Sequence, residues 1–302
     1  MVADLRAKTG CGMMDCKKAL KETNGDFDEA IKFLREKGLA VAAKKADRIA
    51  SEGIVDILLS DDGKTAAMVE VNAETDFVAK NETFQAFVKD VLATILANKP
   101  ADVATLLTEK FPGKDMTVNE ALIERIQVIG ENMSIRRFVI AEGSMSTYIH
   151  GKGTTGVIVT FDTDDATAAN SAFAEMAKNV ALQVAAMNCL YVDRDHVPAS
   201  AIAEEKEVIA AQLKNDPKNA SKPEAILEKM ATGKLGKFYE TYCLADQEYV
   251  KDGSMTVAKY IESVAKQLGA SIKLTNFYRF EKGEGLQKRE ENFAEEIANM
   301  IK

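Results

Sequence analysis

The first 38 residues place short apolar stretches between glycine-containing breaks, a pattern that predicts three short helices. Breaks at residues 9–12 and 24–25 end the first two helices, the second of which begins near Met13. Asp26 can cap a third helix that ends at Gly38. Its apolar residues recur at helical spacing: Phe27, Ala30, Ile31 and Leu34. Because such a bundle has a small core, we expect it to be a docking module. An alanine-rich linker over 39–50 follows it and is predicted to be helical.

An internal repeat is the most informative pattern in the middle of the chain. Residues 53–60 and 65–71 are predicted to be strands joined at 61–63, and a long helix with one apolar stripe follows. Roughly 90 residues later the same order recurs, with strands at 145–150 and 157–161 and a second helix. The first stripe consists of Phe84, Phe87, Val88, Val91 and Ile95, and the second of Phe173, Met176, Val180, Val184 and Met187. The repeat predicts two duplicated α+β subdomains with antiparallel sheets.

The last third of the chain is predicted to contain a helical hairpin and a return to the core. Pro198 begins one helix, a proline-containing turn follows, and a second helix carries Ile226, Leu227 and Met230 on a thin apolar seam. A helix over 255–268, a strand over 271–281 and an amphipathic tail helix with Phe293, Ile297 and Ile301 complete the prediction.

These patterns predict the α+β fold class and four parts of the chain. The parts are a three-helix bundle with its linker (1–50), a first core subdomain (51–140), a second core subdomain (141–280) and a C-terminal helix module (281–302). The hairpin is predicted as an insertion at about 198–237 in the second core subdomain.

Composition and charge narrow the classes of function. The formal net charge is −8, whereas a duplex-binding protein normally carries a basic surface. The N-terminus lacks the apolar core of a signal peptide, and no apolar stretch is long enough to span a membrane, so we expect a cytoplasmic protein. Four cysteines are too sparse for a disulfide framework, and only two histidines are present. Few residues are therefore available for a metal or catalytic site.

Three short motifs have ordinary structural interpretations beside their functional ones. The GKGTTG sequence at 151–156 matches a dinucleotide-binding pattern by letter, but a strand-like segment follows it where a helix is required, so we expect a hairpin turn. Cys11 and Cys16 have no nearby partners for tetrahedral zinc and are predicted to pack in the bundle. His150 is expected to be exposed at the hairpin tip, as an interface residue rather than a general acid or base.

The segment ETDFVAKN at 74–81 allows two interpretations. Thr75 or Asp76 can cap the helix that follows, and Phe77 lies seven residues before Phe84, which favours a core position for Phe77. An acidic residue beside a phenylalanine at a loop-to-helix junction is also typical of a protruding binding anchor. Spacing alone leaves both open.

Three segments in order resemble the signatures of the bacterial elongation factor Ts family. They are TGCGMMDCKKAL at 9–20, ETDFVAKN at 74–81 and IGENMSIRR at 129–137, and FYRFEKGEGL near the end resembles the family's C-terminal strand region. Cys11 departs from the alanine that the family often has. The resemblance covers essentially the whole chain. It implies a bundle of the ubiquitin-associated type, two core subdomains, a coiled-coil hairpin and a C-terminal module.

The resemblance further implies a non-enzymatic nucleotide-exchange factor for the GTPase elongation factor Tu, in its GDP-bound and nucleotide-free forms. No cofactor, metal, membrane or direct nucleic-acid partner is expected, and a homodimer through the hairpin or the core is left open. By motif match, displacement of the GTPase's Mg²⁺ falls to Thr75, Asp76, Phe77 and Val78. Further partner contacts are expected at Ile129, Gly130, His150, Met13 and Met14.

Two rival functions belong to other classes. A nucleotide-dependent enzyme would use the GKGTTG sequence, and an RNA-binding translation factor would use the basic residues Lys44, Lys45 and Arg48. The acidic net charge and the lack of a phosphate-loop pattern at 58–65 weigh against each of them.

Overall fold

The computed structural model describes residues 1–219 and 222–288, and these form two compact units of mixed helix and sheet. The first unit comprises Met1–Ala141, Ile149–Gly156 and the described residues 280–288, and the second comprises Glu142–Tyr148 and the described residues of 157–279. The α+β fold class is thus confirmed. The predicted tail helix at Phe293, Ile297 and Ile301 lies outside the described residues.

The N-terminal bundle consists of α1 (Val2–Thr9), α2 (Met13–Glu22) and α3 (Phe27–Lys45). Gly10 in the left-handed conformation ends α1, and the Asp26 carboxylate accepts the Glu29 N–H at the start of α3. The expectation that Gly38 ends the third helix is wrong, because α3 continues through it into the predicted linker. A Cβ at position 38 would lie 2.7 Å from Gln127 Oε1, so glycine permits close packing of α3 against a later helix.

The first core sheet has the strand order β1–β2–β3, formed by β1 (Glu52–Leu59), β2 (Thr65–Ala73) and β3 (Met133–Glu142). The β1 and β2 strands are antiparallel, with Asp56 opposite Val69, as the predicted hairpin requires. The helices of this unit are α4 (Asp76–Ala79), α5 (Glu82–Asn98), α6 (Val103–Thr108) and α7 (Val118–Ile129). The sequence patterns predicted α5 but missed β3, α6 and α7.

The central strand β2 is covered on both faces. Ala67, Val69 and Val71 pack with Phe84 and Phe87 of α5 in one apolar cluster. On the alternate positions, Met68, Glu70 and Asn72 are also fully buried. Because side chains alternate across a strand, this second buried set means that further parts of the unit cover the face opposite α5.

The second unit repeats the arrangement of β1, β2 and α5. Its sheet has the order β4–β5–β8, with β4 (Ser144–His150), β5 (Thr155–Asp162) and β8 (Lys273–Glu281), of which residues 149–150, 155–156 and 280–281 belong to the first unit. Its helices include α8 (Asp165–Ala168) and α9 (Ser171–Ala186). Phe173, Met176, Val180 and Val184 are buried as predicted. Met187 is not, because α9 has ended before it and its side chain is 39% exposed.

A helical hairpin and a small additional layer complete the second unit. The hairpin consists of α10 (Ala199–Asn215) and α11 (Glu224–Tyr242), which share a thin seam of Ile209, Leu213, Leu227, Ala231 and Leu235. The remaining elements are β6 (Glu248–Tyr249), β7 (Asp252–Thr256) and α12 (Val257–Leu268). None of the helices in the described part of the chain combines the length and apolarity needed to cross a bilayer.

Candidate functional site

The α4 helix, a single turn over Asp76–Ala79, presents Phe77 to solvent and is called the Phe77 turn from here on. Phe77 is 77% exposed, the highest value among the large apolar side chains in the described chain. Its neighbours Val78 and Ala79 are buried in the same cluster as α5. The core interpretation of Phe77 is therefore wrong, because its side chain is exposed, and its role as a binding anchor stays a prediction.

The capping role expected for Thr75 or Asp76 belongs to another residue. The Asn81 side chain accepts the N–H groups of Thr83 and Phe84 and so caps α5. A separate capped helix begins at residue 82, and this breaks the periodicity that connected Phe77 with Phe84. Phe77 therefore lies on a different helix from the apolar stripe.

Lys80 organises the exposed face of the Phe77 turn. Its Nζ atom donates to the Asp76 carboxylate at 2.5 Å and lies 5.6 Å from the centre of the Phe77 ring. The hydrogen bond from Lys80 is the main cause that lowers the pKa of Asp76, with smaller contributions from the positive charges of Lys80 and Lys282. Asp76 is consequently ionised at neutral pH, beside an exposed aromatic ring.

The loop after α7 binds Thr75, the residue that precedes the Phe77 turn in the sequence. Gly130, with φ of 87°, ends α7, and the next residue, Glu131, accepts two hydrogen bonds from Thr75. In return, the Glu74 carboxylate accepts the Asn132 N–H at 2.6 Å. The two signatures at 74–81 and 129–137 are thus brought together. Glu74, Lys80, Glu131 and Asn132 are not among the predicted contact residues, although all four lie within the quoted motifs.

The other predicted contact residues occupy separate elements of the same unit. Met13 and Met14 lie in the first turn of α2 and are 54% and 74% exposed. Ile129 is half-buried at the end of α7. His150 is exposed at the end of β4, next to the turn, as expected from the sequence.

The GKGTTG sequence forms the hairpin turn that was predicted between β4 and β5. The Gly153 carbonyl accepts the Val55 N–H at 2.8 Å, and a Cβ at Gly156 would lie 2.6 Å from Val55 and 2.8 Å from the Met68 sulfur. The glycines therefore permit close packing on the first core sheet. This turn covers the face of β2 that carries Met68.

Two basic residues, Lys45 at the end of α3 and Arg48 just after it, are engaged within the first unit. Lys45 donates to the Gly130 carbonyl, and Arg48 lies 3.5 Å from the Glu74 carboxylate. The Arg48 carbonyl accepts the Asn132 side chain at 2.8 Å. Two of the three basic residues thus support the loops behind the Phe77 turn, which weakens the RNA-binding rival.

A buried ionic network holds the chain after β8 against the first core sheet. Glu70 is fully buried and accepts hydrogen bonds from Arg136, Arg137 and the Gly283 N–H. Burial acts to raise the pKa of Glu70, but the bonds from Gly283, Asn72 and the two arginines outweigh it and lower that pKa. An ionised carboxylate therefore occupies the centre of β2, next to the Gly283 backbone.

All four cysteines are free and buried. Cys11 and Cys16 belong to the apolar core of the bundle, which confirms the packing role predicted for them. Among the residues that the structure describes, no group of three or more His, Cys, Asp or Glu side chains is placed to hold a metal ion.

Comparison with known proteins gives a consistent family. The family model described as Elongation factor TS matches residues 74–284. The chain is 49% identical over 304 residues to elongation factor Ts of Clostridioides difficile, covering 100% of this chain and 98% of that protein. It is 47% identical over 305 residues to the Clostridium kluyveri protein of that name, and 45% identical over 305 residues to that of Syntrophotalea carbinolica. These alignments cover 100% of this chain and 97% and 98% of the two relatives.

Proposed function

The chain belongs to the elongation factor Ts family, and on that basis we propose that it is a guanine nucleotide exchange factor for elongation factor Tu. In this proposal it binds the GDP complex in the cytoplasm, displaces Mg²⁺ and promotes GDP release so that GTP can bind. The observation that carries the proposal is the Phe77 turn, where an exposed aromatic ring stands on a buried base beside an ionised carboxylate.

The arrangement suits an anchor that enters a partner. A phenylalanine buries about 150–250 Å² at an interface, and such anchors carry a large share of binding energy. Val78 and Ala79 fix the turn to the core, so little chain entropy is lost when Phe77 is buried by a partner. Asp76 places a negative charge at the same point, and Thr75 connects the turn to the loop of Glu131.

Exchange follows from competition between the factor and the nucleotide. Mg²⁺ connects the phosphates of a bound nucleotide to the GTPase, so its displacement weakens phosphate binding. A factor that prefers the nucleotide-free GTPase must bind less tightly when nucleotide is present, because coupling between two ligands is reciprocal. GDP and the factor therefore expel each other, and GTP completes the cycle. No covalent bond is made, so the chain is an exchange factor rather than an enzyme in the usual sense.

The remaining predicted residues are proposed as further contacts with the GTPase. Met13 and Met14 offer exposed apolar side chains on the bundle, Ile129 and Gly130 lie beside the loop of Glu131, and His150 is exposed at the end of β4. Assembly of two copies through the hairpin or the core stays a prediction.

The test is release of a fluorescent GDP analogue from elongation factor Tu in a stopped-flow instrument at fixed Mg²⁺. Catalytic acceleration by this chain is expected, and its absence with an active GTPase would refute exchange activity. A second series in excess EDTA isolates the Mg²⁺ step. If the chain acts by displacing Mg²⁺, its further acceleration should shrink once the metal is gone. Undiminished acceleration would refute that step while leaving exchange intact.

A further inference from the structure

Thr75, the residue immediately before the Phe77 turn, is held by Glu131 through both its backbone and its side chain. The Thr75 N–H donates to one carboxylate oxygen of Glu131 at 3.0 Å, and the Thr75 hydroxyl donates to the other at 2.7 Å. Hydrogen bonds to a charged acceptor are stronger than neutral ones. Two bonds to two oxygens fix the direction in which the chain enters the turn.

The second copy of the internal repeat shows that such a one-turn helix can be capped by its own preceding residue. The second unit has its own one-turn helix, α8, displaced by 89 residues from α4 in the numbering, with Asp165 matching Asp76. There the preceding residue, Asp164, caps its own turn by accepting the Thr167 N–H at 2.9 Å. Thr75 makes no such cap, and its side chain bonds to Glu131 instead. The Phe77 turn is thus held from outside, whereas α8 is held by its own cap.

A second bond in the opposite direction reinforces the connection. The Glu74 carboxylate accepts the Asn132 N–H, and the Asn132 side chain donates to the Arg48 carbonyl. Each of the two loops, 74–75 and 131–132, therefore supplies one carboxylate that accepts hydrogen bonds from the other loop. Such a two-way connection resists rotation of one loop against the other better than a single bond does.

We infer that Glu131 is a positioning residue for Phe77, which it orients through Thr75 so that the ring is preorganised for the partner. The expected effect of Glu131 on GDP release rests on the proposed exchange function, whereas the orientation of the Phe77 turn by Glu131 does not. An anchor held in its bound direction loses less conformational freedom on binding. Removing Glu131 should leave the Phe77 side chain present but its direction variable.

The geometry can be tested without any partner, because the chain contains no tryptophan. The variant Phe77→Trp places a single fluorophore on the turn. We expect Glu131→Ala to lower the fluorescence anisotropy of that reporter in the free protein. The matched control is Glu109→Ala, which removes a half-buried carboxylate that accepts a 2.7 Å bond from Asn98 elsewhere in the same unit. Equal anisotropy in the reporter protein with and without Glu131→Ala would overturn the inference.

The consequence is tested by GDP release in a double-mutant cycle of Glu131→Ala and Phe77→Ala. Alone, Glu131→Ala should reduce the acceleration about tenfold, which corresponds to about 1.4 kcal/mol. In the Phe77→Ala background the same change should have little further effect, since there is no ring left to orient. Glu109→Ala should match the wild type. If Glu131→Ala fails to fold by circular dichroism, Thr75→Val removes only the hydroxyl bond and should reduce acceleration in the same non-additive way.

The outcomes separate the inference from the proposed function. No acceleration by the wild-type chain refutes exchange activity, and the anisotropy test still decides whether Glu131 orients the turn. If the wild type accelerates GDP release and Glu131→Ala reduces that acceleration equally with and without the Phe77 ring, only the positioning role of Glu131 is refuted.

Discussion

Replacing Phe77 with alanine should nearly abolish exchange while leaving the fold intact. The ring is 77% exposed, so the free protein loses little buried surface when it is removed. Substitutions at such positions usually change the free energy of unfolding by less than about 0.5 kcal/mol. The second repeat supports this expectation, because Ala166 is exposed at the matching position of α8, which is a complete helical turn.

The effect on exchange should be much larger than the effect on stability. About 150 Å² of the ring surface is available for burial by a partner, which at about 25 cal/mol per Å² gives an upper limit of about 4 kcal/mol. Truncation of an interface anchor commonly costs about 2–4 kcal/mol, equivalent to about 30- to 1000-fold. The rest of the interface remains in Phe77→Ala, so we expect the lower half of that range.

The assay pairs stopped-flow GDP release with urea denaturation, and Phe84→Ala is the matched control. Phe84 is fully buried seven residues later, so its loss should cost about 3–5 kcal/mol of folding stability. A similar loss of stability in Phe77→Ala, or exchange within about fivefold of the wild type, would refute the anchor role of Phe77, since anchors carry at least about 1 kcal/mol.

Three further predictions concern the first unit and the thiols. Glu70→Gln should cost about 3–5 kcal/mol at pH 7 in urea unfolding, because it breaks a buried ionic network. The folded-state pKa of Glu70 is lowered, so its contribution is complete above the unfolded pKa of about 4.3 and is lost as pH falls through the folded value. The wild type should therefore lose stability in acid more steeply than the variant. Gly156→Ala should cost about 1–3 kcal/mol by thermal unfolding, since its Cβ would overlap buried Val55 and Met68. All four thiols are buried, and burial raises the pKa of Cys189 to about 12 and that of Cys243 to about 11. Native protein should therefore not react with Ellman's reagent at pH 8, whereas unfolded protein should react at all four cysteines.

Sequence reasoning found the elements whose pattern is local. The strands β1 and β2 and the helix α5 have clear periods of 2 and 3.6 residues, and the repeat made the second set recognisable. It missed β3, which carries Arg136 and Arg137 among its apolar residues. Those arginines look like surface residues in the sequence but bond to Glu70 on the neighbouring strand. Their role depends on a partner more than 60 residues away, which no local pattern indicates.

The candidate site shows the same limit. Spacing favoured a position for Phe77 on the stripe of Phe84, because nothing in a periodicity count reveals that Asn81 caps a new helix. The acidic residue beside Phe77 left an exposed anchor open, and the resemblance, which follows motifs rather than periods, favoured that role. Even the resemblance did not single out Glu131, because the bonds between Thr75 and Glu131 join residues 56 positions apart.

The two copies of the repeat suggest how a binding anchor can arise on a duplicated fold at low cost in stability. Both one-turn helices bury their third residue, Val78 or Thr167, and expose their second, Phe77 or Ala166. The side chain at the exposed position does not pack in the core, so a large ring there adds binding surface without disturbing the core beneath it. What the ring then needs is a fixed direction, which a cap within a single turn supplies less firmly than a carboxylate from another loop. In the proposed function the bonds from Thr75 to Glu131 meet that need. The proposed binding role of the first copy then rests on two local differences between similar turns: the ring of Phe77 and the outside support from Glu131.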